Sequence, residues 1–492
     1  MATIKLGTVP GVYVQEETNP ALAISEQRLK TAGLIGHAQP TVRVNNFEVV
    51  RGDGATDVIA DYTSGVITDP TNPDCIVISD YLSAKGTNLP KYELGVDYTV
   101  AVGATGITIT WLHSEESAES AESGAESELA PVKGATYYVS FVADRNDEAY
   151  KPILWDNLDD IIAFYGPTYY KSGNAYVVNE ISTAAKLMFN NGAQQVMIRA
   201  LKSTDAVPEA EISTALGELA TFELQTVLSI PQNKPIHQLL LKQVVTDSAT
   251  ENGKERITWI SGAYNGTSIT DTVSYIAAYA KSFAEQRVVL VAPNQVTLLL
   301  EDEEGDSHEV VASSIYAAAA LVGMTTDNNR TVAEPLTREN PIGIYGLKAS
   351  NGTDVVYTRA QVESLSAAGV TVLVWRNNAA SVNQAVTTDI SNQNNREVSV
   401  VLIKDEVIKT IRYNLDREFI GHYYDRKKTP TQIKTAIMLM LDDMSGSLVQ
   451  DYDESNIVVT PDATDSTRVN VKMAFAVLRP LNYIYISFMV TL

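Results

Sequence analysis

Five histidines, His37, His113, His237, His308 and His422, are the side chains best suited to proton transfer or metal ligation near neutral pH. No two stand at i, i+3 or i, i+4, and His308-Glu309 lacks the second histidine of a zinc helix. Asp442-Asp443 and Glu301–Glu304 set carboxylates next to one another, as paired acid and base groups would need. Neighbours on a helix or hairpin point apart, so solvated faces are expected there. There is no GxGxxG or GxxxxGK(S/T) turn to cradle phosphate, and no GxSxG elbow to present a nucleophilic serine. The single cysteine, Cys75, excludes an intramolecular disulfide and reads as core within Cys75-Ile76-Val77-Ile78. Arg51-Gly52-Asp53 is the tripeptide known from cell adhesion, but three residues in an acidic segment match too readily by chance. The expectation is no catalytic residue, no metal and no cofactor.

The remaining chemistry is association. Val12, Tyr13, Val14 and Gln15 lie in Pro10–Glu16, a stretch suited to an extended strand. At the other end, Asn482–Leu492 alternates strictly: Ile484, Ile486, Phe488, Val490 and Leu492 face one way, Tyr483, Tyr485, Ser487, Met489 and Thr491 the other. Such segments must find a sheet, within the chain or by strand addition to a neighbouring copy. Added head to tail, they generate rings or helical arrays.

Stepping outward to the elements, 492 residues suggest about three domains. An apolar fraction of 45% with 20% charged residues fits globular protein. A net charge of −23 argues against nucleic acid and against anionic lipid as main partners. No run approaches the roughly 18 apolar residues of a membrane span, and Met1–Gly11 lacks a signal-peptide pattern. Residues 1–40 read as an N-terminal arm and linker. Residues 45–150 read as an inserted β-rich domain with 5 Lys/Arg against 18 Asp/Glu. Its strands are expected at Cys75–Ile78, Tyr98–Val102, Ile107–Leu112 and Thr136–Val142, with Ser114–Glu128 a solvated loop. Residues 151–376 read as an α/β core. Helices are expected at Asp156–Tyr165, Tyr176–Asn191, Glu209–Thr221, Pro235–Thr246, Asp271–Glu285, Ser313–Val322 and Arg359–Ala368. Between them fall strands at Gln195–Leu201, Leu224–Ile230, Arg256–Ser261, Val288–Ala292 and Val370–Trp375, with a hairpin over Gln295–Val311. Val288–Val291 is apolar on both faces, as a covered parallel strand requires. Residues 377–492 read as an α+β assembly domain. It holds a long helix striped by Val400, Ile403, Val407, Ile411, Leu415 and Phe419, and a second helix from Thr429 with a Thr429/Gln432 capping box. Two strands, Arg468–Leu478 and Asn482–Leu492, close it. The fold class is thus α/β and multidomain, with a mainly parallel covered core sheet and extended terminal strand arms.

The order of several short motifs resembles the tail sheath proteins of contractile bacteriophages and related injection machines. They are Pro10–Glu16, Thr31–Gly36, Tyr165-Gly166-Pro167, Ala185–Gly192, Val196–Arg199, Ala317–Gly323 with Asp327–Arg330, Leu365–Leu373, and Leu478–Ile484 with Ile486-Ser487-Phe488. The segment 45–150 departs from that pattern. The resemblance implies a structural, non-enzymatic subunit. Copies would stack as hexameric rings into a helical sleeve around an inner tail tube, with terminal arms woven into neighbouring C-terminal domains. On triggering, the sleeve would contract and drive the tube through the target cell envelope. The implied partners are the chain itself, the tube protein, and baseplate and tail terminator proteins. The implied place is the virion, assembled in the host bacterial cytoplasm, or a phage-derived injection particle or bacteriocin. Residues 396–434 carry 9 Lys/Arg against 6 Asp/Glu. Arg426, Lys427, Lys428 and Lys434, with Arg412 and Arg417 behind them, are therefore candidates for a salt-screened contact with an acidic tube surface; the alternative is basic charge that merely suits a helix end. An α/β hydrolase or nucleotide enzyme and an outer-surface array protein are the rival readings.

Overall fold

The computed structural model describes residues 30–60, 62, 76–80, 92–104, 106–112, 130–145, 147–172, 175–249, 253–302 and 305–482. Its organising element is the strand Val288–Ala292, every residue of which is buried. It lies inside an eight-stranded sheet ordered Ala379–Val382, Val370–Arg376, Val288–Ala292, Ile257–Ser261, Thr226–Ser229, Ala32–His37, Val196–Leu201, Ile153–Trp155. The six inner strands are parallel, and the two edge strands run antiparallel to their neighbours. Helices Glu209–Leu219, Lys234–Asp247, Val273–Lys281 and Arg359–Ala367 bury apolar residues in one core with Ile35, Val227, Ile260 and Leu290. Leu34, Ile198, Leu228 and Trp259, which the alternation turns the other way, are also fully buried. The expected doubly covered sheet is therefore present.

One strand lies where the sequence reading put a linker. Ala32–His37 is central, paired in parallel with Val196–Leu201 on one side and Thr226–Ser229 on the other. The core sheet thus begins before residues 45–150, not at Val196. Another difference concerns Tyr176–Asn191. The aromatic and β-branched run Ala175–Val178 pairs as a hairpin with Tyr169–Ser172, and the helix starts only at Glu180. Asn179 caps it, its side chain accepting the N–H of Ser182 at 3.2 Å.

Helix Ile315–Thr325 is buried along its whole length, as an apolar, alanine-rich sequence allows. It packs against Glu180–Asn190 so closely that a Cβ at Gly323 would strike the carbonyl of Met188. After Arg359–Ala367, Gly369 turns the chain at φ +86°, where a Cβ would also meet the Thr387 carbonyl at 2.7 Å.

Gln39–Tyr150, with Phe164–Gly166, forms a second unit. Thr41–Val50, Thr136–Asp144 and Ile76–Ser79 make one antiparallel sheet, and Thr56–Ile59, Gly106–Trp111 and Tyr98–Gly103 another. They share a core containing Ile78, Tyr98, Trp111, Tyr137 and Phe141. Asp57 is its polar centre, accepting from Arg51 Nη1 (3.2 Å), the Gly52 N–H (2.8 Å), Trp111 Nε1 (2.9 Å) and the Tyr137 hydroxyl (2.9 Å). Arg51 is thereby only 7% exposed, so Arg51-Gly52-Asp53 is a structural turn and not a presented adhesion tripeptide. Cys75, His113 and the tract Ser114–Glu128 lie outside the described residues.

Candidate assembly site

In an open α/β sheet, ligands bind at the carboxyl ends of the strands. Here those ends are hydrogen-bonded to each other. His237, fully buried in the first turn of Lys234–Asp247, bonds through Nε2 to Gln232 Oε1 (2.6 Å) and through Nδ1 to the Tyr279 hydroxyl (2.9 Å). Gln232 also accepts the Ser261 N–H (3.1 Å) and donates to the Ser229 carbonyl (2.7 Å). Ser261 meets Ser313 at 2.8 Å, and Asn294 donates to Asp271 at 2.6 Å. Burial pulls the His237 pKa down to about 3, so the ring is neutral and both of its nitrogens are engaged. His308 bonds Asp302 (2.7 Å), His37 bonds Glu180 (2.8 Å), and His422 is exposed. Asp442 accepts from Tyr452 (2.7 Å) and Glu301 pairs with Lys186 (3.1 Å), while Glu303 and Glu304 lie outside the described residues. Among the described residues no group of three His, Cys, Asp or Glu could hold a metal, and no helix is long and apolar enough to cross a membrane.

The C-terminal segment is organised differently. Its long helix, Val398–Phe419, is bolted to the core by charge. Asp405 accepts twice from Arg287 Nη1, at 2.9 and 2.7 Å, with both side chains about 5% exposed or less. Lys404 reaches Gln286 (2.6 Å) and Lys409 the Leu224 carbonyl (3.3 Å). Arg412 forks onto Glu255, Nη1 to Oε2 at 2.9 Å. Burial acts to raise the Glu255 pKa, but the Arg412 contacts outweigh it and hold the carboxyl below its ordinary value.

Of the expected basic residues, Arg412 is thus committed inside the protomer, on the core-facing side of the helix. Arg417 lies against the Tyr413 ring, 5.5 Å from its centre. Arg426, Lys427 and Lys428 come together in the loop before helix Thr429–Asp443, with Lys434 in the helix itself. Arg426 donates to the Asp462 carbonyl (2.8 Å) and Lys434 to the Glu454 carbonyl (2.9 Å). Lys427 and Lys428 are exposed, and their N–H groups bond Asp425 Oδ1 (2.8 and 3.3 Å). The expected capping box does not form. Lys428 occupies the cap position, and the Thr429 hydroxyl instead accepts the Asp425 N–H at 2.9 Å. The Asp425 turn wins because it satisfies both ends of the loop at once.

Beyond that helix lie two ribbons of two strands each: Val449–Tyr452 with Phe475–Val477, and Val458–Pro461 with Val469–Lys472. The strand expected over Arg468–Leu478 is therefore split between them. Asp462 turns the second ribbon, accepting from Arg468 Nε (2.9 Å), Asn470 (2.9 Å) and Thr464 (2.7 Å), and these bonds hold its carboxyl far below the usual range. Two-stranded ribbons are marginal in water. Among the described residues neither gains a third strand, and Val458 and Val471 stay 47% and 37% exposed. The chain then runs to Asn482, whose amide donates to Glu397 at 2.8 Å. Glu397 had no signal in the sequence beyond standing before the long helix. At the other end Lys30 is pinned, its ammonium donating to the Asp327 carbonyl (2.8 Å) and its N–H to Asn328 Oδ1 (2.9 Å). The arm candidates Val12, Tyr13, Val14, Gln15, Tyr483, Ile484, Tyr485, Ile486, Phe488 and Val490 lie outside the described residues.

Comparison with known proteins bears on this segment first. Residues 391–491 match the family described as phage tail sheath C-terminal domain. A tail sheath protein of Mycobacterium phage Bxz1 is 27% identical over 344 residues, covering 68% of this chain and 55% of that protein. The chain thus spans about half the length of that curated relative. The helical sheath of the anti-feeding prophage, in its contracted state, superposes over 98% of this chain and 99% of its own with a TM-score of 0.53 at 14% identity, a likeness of fold. A sheath tail protein from Desulfitobacterium hafniense covers 92% of this chain and 93% of its own at 12% identity, and its TM-score of 0.45 is too low to argue from. The segment that carries the long helix, the basic loop and the two ribbons is therefore similar to the phage tail sheath C-terminal domain family, and 68% of the chain is similar to a tail sheath protein.

Proposed function

We propose that this chain is the structural subunit of a contractile tail sheath. Copies stack as hexameric rings around an inner tail tube, and the sleeve shortens to drive the tube through the target cell envelope. The observation that carries the reading is the family match over 391–491, on a chain whose fold is that of a contractile sheath. The unfinished ribbons support it. Strands added from neighbouring copies complete the Val449–Tyr452 and Phe475–Val477 sheet, giving links that persist while core domains rotate past one another. Residues 377–492 act as the assembly domain and 45–150 as an outer insertion. The exposed Lys427 and Lys428, with Arg426 and Lys434, touch the tube, while Arg412 and Arg417 stand behind and fix the helix. The partners are further copies, the tube protein, and baseplate and terminator proteins. The place is the virion tail, and no chemical step is involved. A phage-derived injection particle is the second reading, favoured by the likeness to the anti-feeding prophage sheath.

Negative-stain microscopy of the purified protein tests this. Hollow striated cylinders are expected, and removal of Ile484–Leu492 should leave soluble single copies. A monomer with measurable turnover, or cylinders unaffected by the truncation, contradicts the reading.

A further inference from the structure

The outer edge of the core sheet carries a polar cleft that the proposed function leaves unused. Strands Val370–Arg376 and Ala379–Val382 turn at Asn377-Asn378, both at positive φ (+51° and +63°), as a tight two-residue hairpin demands. That turn sets Arg376 at the rim. Beside it Arg338 is held at φ +70°, its N–H donating to the Val382 carbonyl at 2.7 Å. The cleft, 560 Å³, opens between Arg338, Arg359, Arg376, Trp375 and Tyr357. An adjoining hollow of 270 Å³ shares Arg338 and Arg376. The one carboxylate on the cleft wall, Glu363, is already held by Arg359 Nε at 2.7 Å. Arg376 donates to the neutral Asn383 Oδ1 (3.0 Å), and among the described residues neither Arg376 nor Arg338 has an acidic partner. In a chain of net charge −23, two guanidiniums without counter-charge at one rim concentrate a positive potential. Guanidinium planes recognise carboxylates through paired hydrogen bonds. Trp375, 41% exposed, supplies a flat wall for aliphatic stems.

We propose that this cleft docks the acidic tract Ser114–Glu128 of a second copy of the chain. The tract carries six glutamates, Glu115, Glu116, Glu119, Glu122, Glu126 and Glu128, and no lysine or arginine. It has no large apolar residue, so charge is the recognition it offers. Seventeen residues separate Leu112 from Ala130, which lets the tip of the tract reach about 28 Å from its base. Each copy has one cleft and one tract, so the contact is head to tail and repeats from copy to copy. It rests on the sheath reading for that repetition, and it assigns the insertion a part in holding the array together that salt weakens.

The test uses a fluorescent peptide of residues 114–128, titrated with full-length protein whose six tract glutamates are changed to glutamine so that its own tract does not compete. Saturable binding at low salt is expected. It should weaken at least about tenfold in R338E/R376E and at high salt. Arg376→Glu alone, which leaves the strained Arg338 backbone untouched, should weaken it by a smaller factor. No binding at low salt, or equal binding by the arginine variants, overturns the proposal. In assembled cylinders, phenylglyoxal labelling read by mass spectrometry should find Arg338 and Arg376 protected in the wild type and labelled in the glutamine-tract variant. Protection in that variant means another segment fills the cleft, and the proposal falls. Failure of cylinders to form strikes the sheath reading instead, and the peptide titration still decides the cleft.

Discussion

Eight strands close the core sheet, with antiparallel strands at both edges, whereas Val449–Tyr452 and Phe475–Val477 make a ribbon of two. In the core, three buried polar side chains find partners within the protomer: His237 has Gln232 and Tyr279, Asp405 has Arg287, and Glu255 has Arg412. Neither ribbon has a third strand among the described residues, and in the Val458–Pro461 and Val469–Lys472 ribbon Val458 and Val471 remain open to solvent. A region that satisfies itself can move as a rigid body; an open strand edge is a template for a further strand, from the same chain or from another copy. The two needs are joined by one helix, Val398–Phe419, whose charges fasten it to the core while its C-terminal end leads to the basic loop.

That contrast can be broken by substitution. Changing Arg426, Lys427 and Lys428 to Glu should abolish sleeve assembly on tubes, while the unfolding free energy in urea moves by no more than the roughly 0.5 kcal/mol usual for surface changes; unchanged assembly refutes the tube contact. Asp405→Ala should do the opposite. It strands the buried Arg287 and should cost about 3–5 kcal/mol in urea unfolding, with loosening of the long helix visible in hydrogen exchange. Gly323→Ala forces apart Ile315–Thr325 and Glu180–Asn190 and should cost about 1–3 kcal/mol in the same measurement.

The smallest effect concerns His37. Burial acts to lower its pKa, but the bond to Glu180 outweighs this and raises it above the ordinary 6.5. The folded protein therefore binds that proton more tightly than the unfolded chain does. The stability it contributes is fully present below about pH 6.5 and is lost as pH rises through the folded value. His37→Gln should remove that slope, an effect below about 1 kcal/mol, measurable as a flatter dependence of thermal midpoint on pH.

Local pattern was enough for much of the core. Val288–Ala292 is expected with its observed ends because its consecutive apolar residues suit a strand covered on both faces, and the helix expected over Arg359–Ala368 ends at Ala367, just before Gly369. Pattern failed where pairing is remote. Ala32–His37 is short, holds two glycines, and finds its neighbours Val196–Leu201 and Thr226–Ser229 only across the second unit, so nothing near it in sequence marks it as central. It failed again where two local signals compete, as at Thr429, where the Asp425 turn displaces the capping box. The adhesion-like tripeptide shows the reverse: Arg51 is drawn inside by Asp57, five residues past Gly52 in sequence and invisible to a three-residue motif. The basic residues near 426 were legible as charge, but their division into exposed Lys427 and Lys428 and an internally bound Arg412 needed the long-range contact with Glu255.

High-resolution electron microscopy of assembled cylinders bears most directly on the central claim. The Val449–Tyr452 and Phe475–Val477 ribbon is expected to gain strands contributed by the terminal segments of other copies. A map in which both termini of each protomer pair only with their own chain, and the ribbon stays two-stranded, would contradict it.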